Sequence, residues 1–255
     1  MTVSALLQYL DSFFLLFGKE EGYLSAEALA QVEGEFFQNR QRKEHALGGH
    51  MKTLCYLRHS IKDANNNISP EGIELAKKQG QILVATMGNQ RQDNQIRVDR
   101  IFVGPLVRTV QTRDAFFFHV VPTLMLDEIT AEIPNIGTDG LFKEIVSDEF
   151  KDAVKSGKSN FEATLGAHSP GQVLVWSRIA YHAVDEMIAS LEEGQKAIAF
   201  GHSPMIELAA YYIHSGRLPA EYRRLAEMEG LVFVHDQNRG TAPIRVHDRV
   251  AAPAR

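Results

Sequence analysis

The pattern of apolar and polar positions predicts a helical segment at the start of the chain. Leu6, Leu10, Phe13 and Phe17 recur at the spacing that places side chains on one stripe of a helix. A second helix is predicted to begin near Ser25, which is a suitable N-cap residue. The polar run over residues 38–50 then predicts a link into a different kind of structure.

Beyond this link, short β-rich apolar runs alternate with helical patterns. The predicted strands cover residues 53–57, 100–103, 120–126, 196–200, 231–234 and 243–246. The predicted helices cover residues 70–86, 105–117, 141–154, 171–192 and 204–214. Such alternation is typical of a mostly parallel sheet with helices on both faces. We therefore expect a three-layer α/β/α domain over residues 51–255, preceded by a helical N-terminal extension over residues 1–50.

The first predicted helix has almost no polar face, so its apolar surface must be covered. Two interpretations stay open. The extension packs as a helical hairpin on the α/β domain, or it forms a homodimer through the N-terminal helices.

Composition and charge narrow the function classes. The 255 residues are 44% hydrophobic and carry 27 basic against 32 acidic side chains, a net charge of −5. This balance argues against a disordered chain and against general nucleic-acid binding. Cys55 is the only cysteine, which excludes an intrachain disulfide and favours a cytoplasmic location. The apolar run over residues 13–17 is far shorter than the ~20 residues that span a bilayer, so we expect no membrane association.

Chemically active side chains follow several of the predicted strands. In mostly parallel sheets, ligands bind beyond the carboxyl ends of the strands, so these residues are expected to converge. In chain order, the segments after the strands are Arg58-His59-Ser60, Gly104 to Arg108, Asp127-Glu128 and Gly201-His202-Ser203.

This set suits a phosphate monoester. The guanidinium groups of Arg58 and Arg108 match phosphoryl oxygens and stay charged at neutral pH. Cationic neighbours disfavour the protonated form of an imidazole, so His59 is expected to be neutral and to act as a nucleophile.

The remaining members of the set have supporting roles. We expect His202 to donate a hydrogen bond to the phosphoryl group. Ser203 stands at a helix start, where free backbone N–H groups also favour an anion. A protonated carboxylic acid could supply the proton that the leaving alkoxide needs. Glu128 is the first choice, with Glu132 and Asp127 as alternatives.

Several ordered segments resemble the histidine phosphatase superfamily, whose fold is phosphoglycerate-mutase-like. The stretch from Tyr56 to Ser60 is similar to the Arg-His signature of that family. The other similar segments are residues 68–76, which resemble the family's helix opening, residues 104–112, which resemble its Pro-Leu-x-Arg segment, and residues 199–203, which resemble its second-histidine strand end. Leu126-Asp127-Glu128 also resembles the family's Leu-x-Glu.

The resemblance implies a role for each matching residue. His59 would be phosphorylated transiently, Arg58 and Arg108 would hold the phosphoryl group, His202 would complete the pocket, and Glu128 would donate the proton. Two departures stand out: Ser60 replaces the family's usual Gly and adds a side chain beside the pocket, and Gly104 stands where Ser is common. The family often has an Asn after the signature, and residues 65–67 offer three candidates.

The resulting hypothesis is a metal-independent phosphomonoester hydrolase that needs no cofactor and acts on a small phosphorylated substrate. The first alternative is a phosphoglycerate mutase-type isomerase. Only about ten residues separate Ser60 from the helix at Pro70, where the mutases have a long segment, and this favours a hydrolase. The second alternative is a non-catalytic scaffold that binds phosphorylated ligands, but no residue of the core set has been lost. The cover over the pocket is expected to lie within residues 131–171 and does not identify the substrate.

Overall fold

The computed structural model describes residues 51–88, 95–96, 98–118, 121–122, 130–133, 144–236 and 240–246. The helices predicted over residues 1–50 lie outside these described residues, as do Asp127 and Glu128.

Most predicted strands occur close to their expected positions. The strands are β1 (Lys52–Arg58), β2 (Gln95–Ile96), β3 (Arg100–Val103), β4 (Val121–Pro122), β5 (Thr130–Glu132), β6 (Lys196–Gly201), β7 (Gly230–Asp236) and β8 (Gly240–Val246). The main sheet has six strands in the order β5-β3-β6-β1-β7-β8, whereas β2 and β4 form a separate pair. Strands β5, β3, β6 and β1 run parallel, and β7 and β8 close the sheet as an antiparallel hairpin. The predicted mostly parallel sheet is therefore confirmed.

Serine side chains cap the N-termini of several of the described helices. The helices are α1 (Pro70–Gly88), α2 (Val107–Phe116), α3 (Asp148–Lys155), α4 (Asn160–Ala167), α5 (Pro170–Ala189) and α6 (Met205–Ile213), followed by a 3-10 turn at Ala220–Tyr222. Ser159 and Ser169 each form a capping box, with Glu162 and Gln172 respectively. No helix was expected at α4, which lies between the helices predicted over residues 141–154 and 171–192. No helix in the described ranges is long and apolar enough to cross a bilayer.

The core consists of two clusters, one on each face of the main sheet. Because side chains alternate along a strand, Leu54 and Tyr56 of β1 face one side and Leu57 the other. The first cluster packs against residues of α5 and α6, and the second against residues of α1 and α2. Helices thus cover both faces, which confirms the predicted three-layer α/β/α architecture.

The strand predicted over residues 120–126 was wrong as a member of the main sheet. Its described part, β4, pairs with β2, and the edge strand beside β3 is β5 instead. Glu128 therefore precedes a main-sheet strand rather than following one. Glu132, an alternative proton donor from the sequence, is the last residue of β5 and pairs in register with Val103.

Candidate active site

Three neighbouring parallel strands bring the predicted pocket residues to one edge of the sheet. In register, Arg58 at the end of β1 pairs with Gly201 of β6, and Phe200 of β6 pairs with Val103 of β3. The segments that follow these strands carry His59, His202 and Arg108. The convergence expected from the order of strands is therefore what the fold produces.

Two hydrogen bonds orient the His59 ring. A guanidinium can only donate, so the 3.1 Å contact from Arg108 Nε makes His59 Nε2 an acceptor. The proton of the neutral ring then lies on Nδ1, which donates to the backbone carbonyl of Ser60 over 2.6 Å. The lone pair of His59 Nε2 consequently faces the side of the site that holds Arg108.

Burial keeps the His59 ring neutral. Its side chain is almost enclosed, at 7% exposure. Desolvation lowers the pKa of His59 to about 3, and the charges of Arg108, Arg58 and Lys62 act in the same direction. The Ser60 carbonyl opposes this shift without reversing it. At neutral pH the ring is therefore unprotonated and able to act as a nucleophile.

His202 lies against His59, with the ring centroids 4.9 Å apart and the ring planes at 66°. It is 3% exposed, and burial lowers its pKa well below the usual value, followed by the effect of His59 and the two arginines. Both imidazole rings are thus neutral, and both lie close to the positive charges of Arg58 and Arg108.

Residues from the segment before β7 hold Arg58 in place. Arg58 Nη1 donates to the Leu225 carbonyl over 2.6 Å, and Nη2 pairs with Glu227 over 2.9 Å. The Nε atom of Arg58 is buried and has no hydrogen-bond partner among the described residues. A buried cationic donor that lacks a hydrogen-bond partner favours the binding of an anionic ligand at this position.

The Ser60 side chain supports the backbone around it and is not directed at the ligand. Its hydroxyl donates to the Gly72 carbonyl of α1 over 2.7 Å, and its backbone N–H donates to Thr112 Oγ1 over 3.1 Å. Thr112 in turn donates to the Arg108 carbonyl over 2.7 Å. The replacement of Gly by Ser therefore ties the segment after β1 to α1, while Thr112 ties it to the turn of α2 that carries Arg108.

The other predicted contacts lie at the borders of this site. The Ser203 hydroxyl donates to Glu207 over 2.6 Å, which leaves its backbone as the part that could meet an anion. Asn66 accepts from Lys62 over 2.7 Å, and Asn67 accepts a longer bond of 3.4 Å from Gln111. The contact of one of these asparagines with phosphate remains a prediction.

Sequence reasoning missed three residues that hydrogen-bond to the candidate site residues. Leu225 and Glu227 lie about 170 residues from Arg58, and nothing local in the sequence links them. Glu207 gave one signal, since it is the single charged residue in the otherwise apolar helix α6.

Within the described ranges, no group of three His, Cys, Asp or Glu side chains could hold a metal ion.

Comparisons with known proteins provide structural neighbours. No family model and no curated protein sequence matches this chain. A phosphoglycerate mutase from Bacillus anthracis is 12% identical, with a TM-score of 0.48 over 78% of this chain and 93% of its own. A phosphoserine phosphatase from Entamoeba histolytica in complex with 3-phosphoglyceric acid is 16% identical, with a TM-score of 0.45 over 77% and 95%. The protein histidine phosphatase SixA, complexed with tungstate, is 11% identical, with a TM-score of 0.42 over 75% and 94%.

All three structures are histidine phosphatase superfamily members. The sequence segments described above resemble the same superfamily.

Proposed function

We propose that the protein is a metal-independent phosphomonoester hydrolase that works through a phosphohistidine intermediate on His59. The observation that carries the proposal is the 3.1 Å bond from Arg108 Nε to His59 Nε2. The guanidinium that we propose to bind phosphate thus lies directly against a neutral imidazole nitrogen. A phosphoryl group held by that guanidinium would lie within reach of the nitrogen lone pair.

In the first step, His59 Nε2 forms a bond to phosphorus while the bond between phosphorus and the ester oxygen breaks. The ester oxygen leaves with the bonding electron pair and takes a proton from a carboxylic acid. Arg58 and Arg108 balance the charge on the equatorial oxygens, and the neutral ring of His202 donates one N–H to them. The bond from His59 Nδ1 to the Ser60 carbonyl stabilises the positive charge that develops on the ring.

In the second step, a water oxygen attacks phosphorus and the bond from phosphorus to Nε2 breaks. The electron pair returns to the ring nitrogen, the carboxylate takes the proton of the water, and inorganic phosphate leaves. The same carboxyl group thus acts first as acid and then as base.

Glu128 is the proposed proton donor, and Glu132 at the end of β5 is the alternative. We expect Glu128→Gln to lower kcat/KM about 10²–10⁴-fold on an alkyl phosphate, because an alkoxide needs a proton to leave. On p-nitrophenyl phosphate the loss should be much smaller, since nitrophenolate leaves without one. Glu132→Gln is the matched control, and the opposite pattern would assign the role to Glu132.

The mechanism is tested by a screen of diverse phosphomonoesters in the presence of a chelator. We expect phosphate release that survives the chelator and disappears in His59→Ala. His182→Ala, which removes an exposed histidine of α5, should keep full activity. Chelator-sensitive turnover, or turnover retained by His59→Ala, would contradict the proposal.

The two alternative functions give different products. The segment from His59 to the start of α1 is short and is closed by a bridge between Lys62 and Ile68, which favours hydrolysis over the mutase reaction. A mutase would convert 3-phosphoglycerate to its 2-isomer without releasing phosphate. A scaffold would bind phosphorylated ligands and release none.

The proposal also covers the substrate class, the partners and the location of the protein. The substrate is a small phosphorylated molecule, and neither nucleic acid nor membrane is a partner. We place the protein in the cytoplasm, because its only cysteine, Cys55, lies in β1 and leaves no intrachain disulfide to be kept oxidised.

A further inference from the structure

Glu207 is a buried carboxyl group that takes no part in the steps above. It is the third residue of α6 and is completely buried among apolar neighbours on that helix. Among the described residues it makes no ion pair. Burial of a carboxyl group without a cationic partner is costly, so its contacts indicate what it does.

One contact connects Glu207 to the histidine side of the pocket. Its Oε1 atom accepts from Ser203 Oγ over 2.6 Å, and Ser203 directly follows His202. The Ser203 carbonyl accepts from Asn160 Nδ2 of α4 over 3.2 Å. The residue after His202 is therefore fixed from two sides, and Glu207 provides one of them.

A second link connects Glu207 to the arginine side. Among the described residues Glu207 Oε2 makes no hydrogen bond, but the backbone N–H of Leu225 lowers the pKa of the carboxyl, and the Leu225 carbonyl accepts from Arg58 Nη1 over 2.6 Å. The charge of Arg58 also acts on the carboxyl directly. Glu207 is thus coupled to both Arg58 and His202.

The charged and titratable groups around Glu207 come from the elements packed on α6. Strand β1 contributes Tyr56 and Arg58, and the end of β6 contributes His202. The segment before β7 contributes Glu227, which pairs with Arg58. Helix α5 also packs on α6, and its Tyr181 stacks on Tyr212, near the other end of α6 from Glu207.

These surroundings hold the carboxyl near its midpoint at neutral pH. Burial raises the pKa of Glu207 to about 7, while the Ser203 hydroxyl, the backbone N–H groups and Arg58 act in the opposite direction. A phosphoryl dianion in the pocket offsets the field of Arg58 and adds negative charge nearby. Both effects favour the protonated carboxyl.

We propose that Glu207 is a positioning residue of the phosphate pocket, and that its carboxyl takes up a proton from solvent when a phosphoryl dianion binds. The proposal rests on the proposed function, because it requires a pocket that binds phosphate. The protonated carboxyl still accepts the Ser203 hydrogen bond through its carbonyl oxygen. The pocket therefore keeps its shape while the negative charge behind it is removed.

The test uses the full chain and tungstate, a dianion across neutral pH, with calorimetry from about pH 6 to about pH 9 in buffers of different ionisation enthalpy. In the wild type, affinity should fall by up to about tenfold per pH unit above the pKa of Glu207, with proton uptake on binding. Glu207→Gln keeps an acceptor for Ser203 but cannot titrate. It should show a flatter pH profile and take up fewer protons above neutral pH.

Ser203→Ala provides a second readout that a purely structural role would not move. Loss of the hydroxyl removes a bond that stabilises the ionised carboxyl, so the midpoint of the affinity profile should move to higher pH. If Glu207→Gln does not fold, an unchanged midpoint in Ser203→Ala overturns the proposal.

The outcomes of this test distinguish a failure of the Glu207 proposal from a failure of the hydrolase proposal. Equal pH profiles and equal proton uptake in the wild type and Glu207→Gln overturn the coupling through Glu207 and leave the hydrolase proposal intact. Absence of tungstate binding by the wild type overturns the phosphate pocket and both proposals with it.

Discussion

At the scale of single residues, the state of His59 depends on its two hydrogen bonds. The Ser60 carbonyl fixes the proton on Nδ1, and the Arg108 guanidinium meets the lone pair on Nε2. The guanidinium and the proposed nucleophile therefore occupy adjacent positions without an ionised ring. In the proposed mechanism, a phosphoryl group that enters draws Arg108 toward its own oxygens, and the same movement frees the attacking nitrogen.

The neutral state of His59 has a consequence for stability in acid. The folded protein holds the pKa of His59 near 3, whereas the unfolded chain titrates near 6.5, so the unfolded state binds the proton first as pH falls. The stabilising contribution is present above the unfolded pKa and is lost below it. Between pH 7 and pH 5 we expect the free energy of unfolding to fall by about 2 kcal/mol from this group. Urea unfolding of the wild type and His59→Asn measures it, and an equal loss in both would contradict the assignment.

The geometry of Arg108 predicts that lysine cannot replace it. Lysine lacks the planar group that can bond to His59 and hold phosphoryl oxygens in parallel. We expect Arg108→Lys to lower kcat/KM about 10²-fold. Arg113→Lys on the same helix, where the side chain pairs with the exposed Asp114, is the matched control. Similar activity in both variants would argue against a direct role for Arg108.

The sequence points to the candidate site residues more readily than to the residues that hold them in place. His59, Arg58, Arg108 and His202 follow strands or open helices, and both features have local patterns. Glu227 supports Arg58 only because β7 returns beside β1, and that pairing is a tertiary event without a local signal.

At the scale of elements, β6 passes so close to a β1 side chain that only glycine fits. A Cβ atom at Gly201 would lie 2.5 Å from the hydroxyl oxygen of the fully buried Tyr56. We expect Gly201→Ala to lower the free energy of unfolding by about 1–3 kcal/mol, because Tyr56 has no room to move. Gly171→Ala, in the first turn of α5 with nothing within 4 Å, should leave stability unchanged or raise it. Thermal unfolding of the two variants checks this, and an undamaged Gly201→Ala would refute it.

Element types were predictable where length and periodicity were clear, as in α5 and β1. The region of β4 and β5 was not, because two- and three-residue strands carry no period of their own. Which of them joins the main sheet is decided by pairing with β3. The expectation that Glu128 directly follows a strand of the main sheet was wrong for this reason.

At the scale of the whole molecule, the described contacts that build the pocket come from residues 58–227. We therefore expect a chain shortened to begin at Lys52 to keep the proposed phosphatase activity of the full chain. Its mass in solution distinguishes the two interpretations of residues 1–50. Dimerisation through these residues requires a full chain of twice 28.5 kDa and a monomeric short form, whereas packing on the domain requires monomers in both. Loss of activity in a folded short form would contradict the prediction.

The pairing of Arg58 with Leu225 and Glu227 also bears on the order of folding. The two bonds join residues 167 and 169 positions apart, and the contact between His59 and Arg108 spans another 49. Contacts of such high sequence separation cost the most loop entropy to form. During synthesis, β1 emerges long before the segment that holds its arginine. The contacts that hold Arg58 therefore depend on a segment that is made late, directly before the C-terminal hairpin.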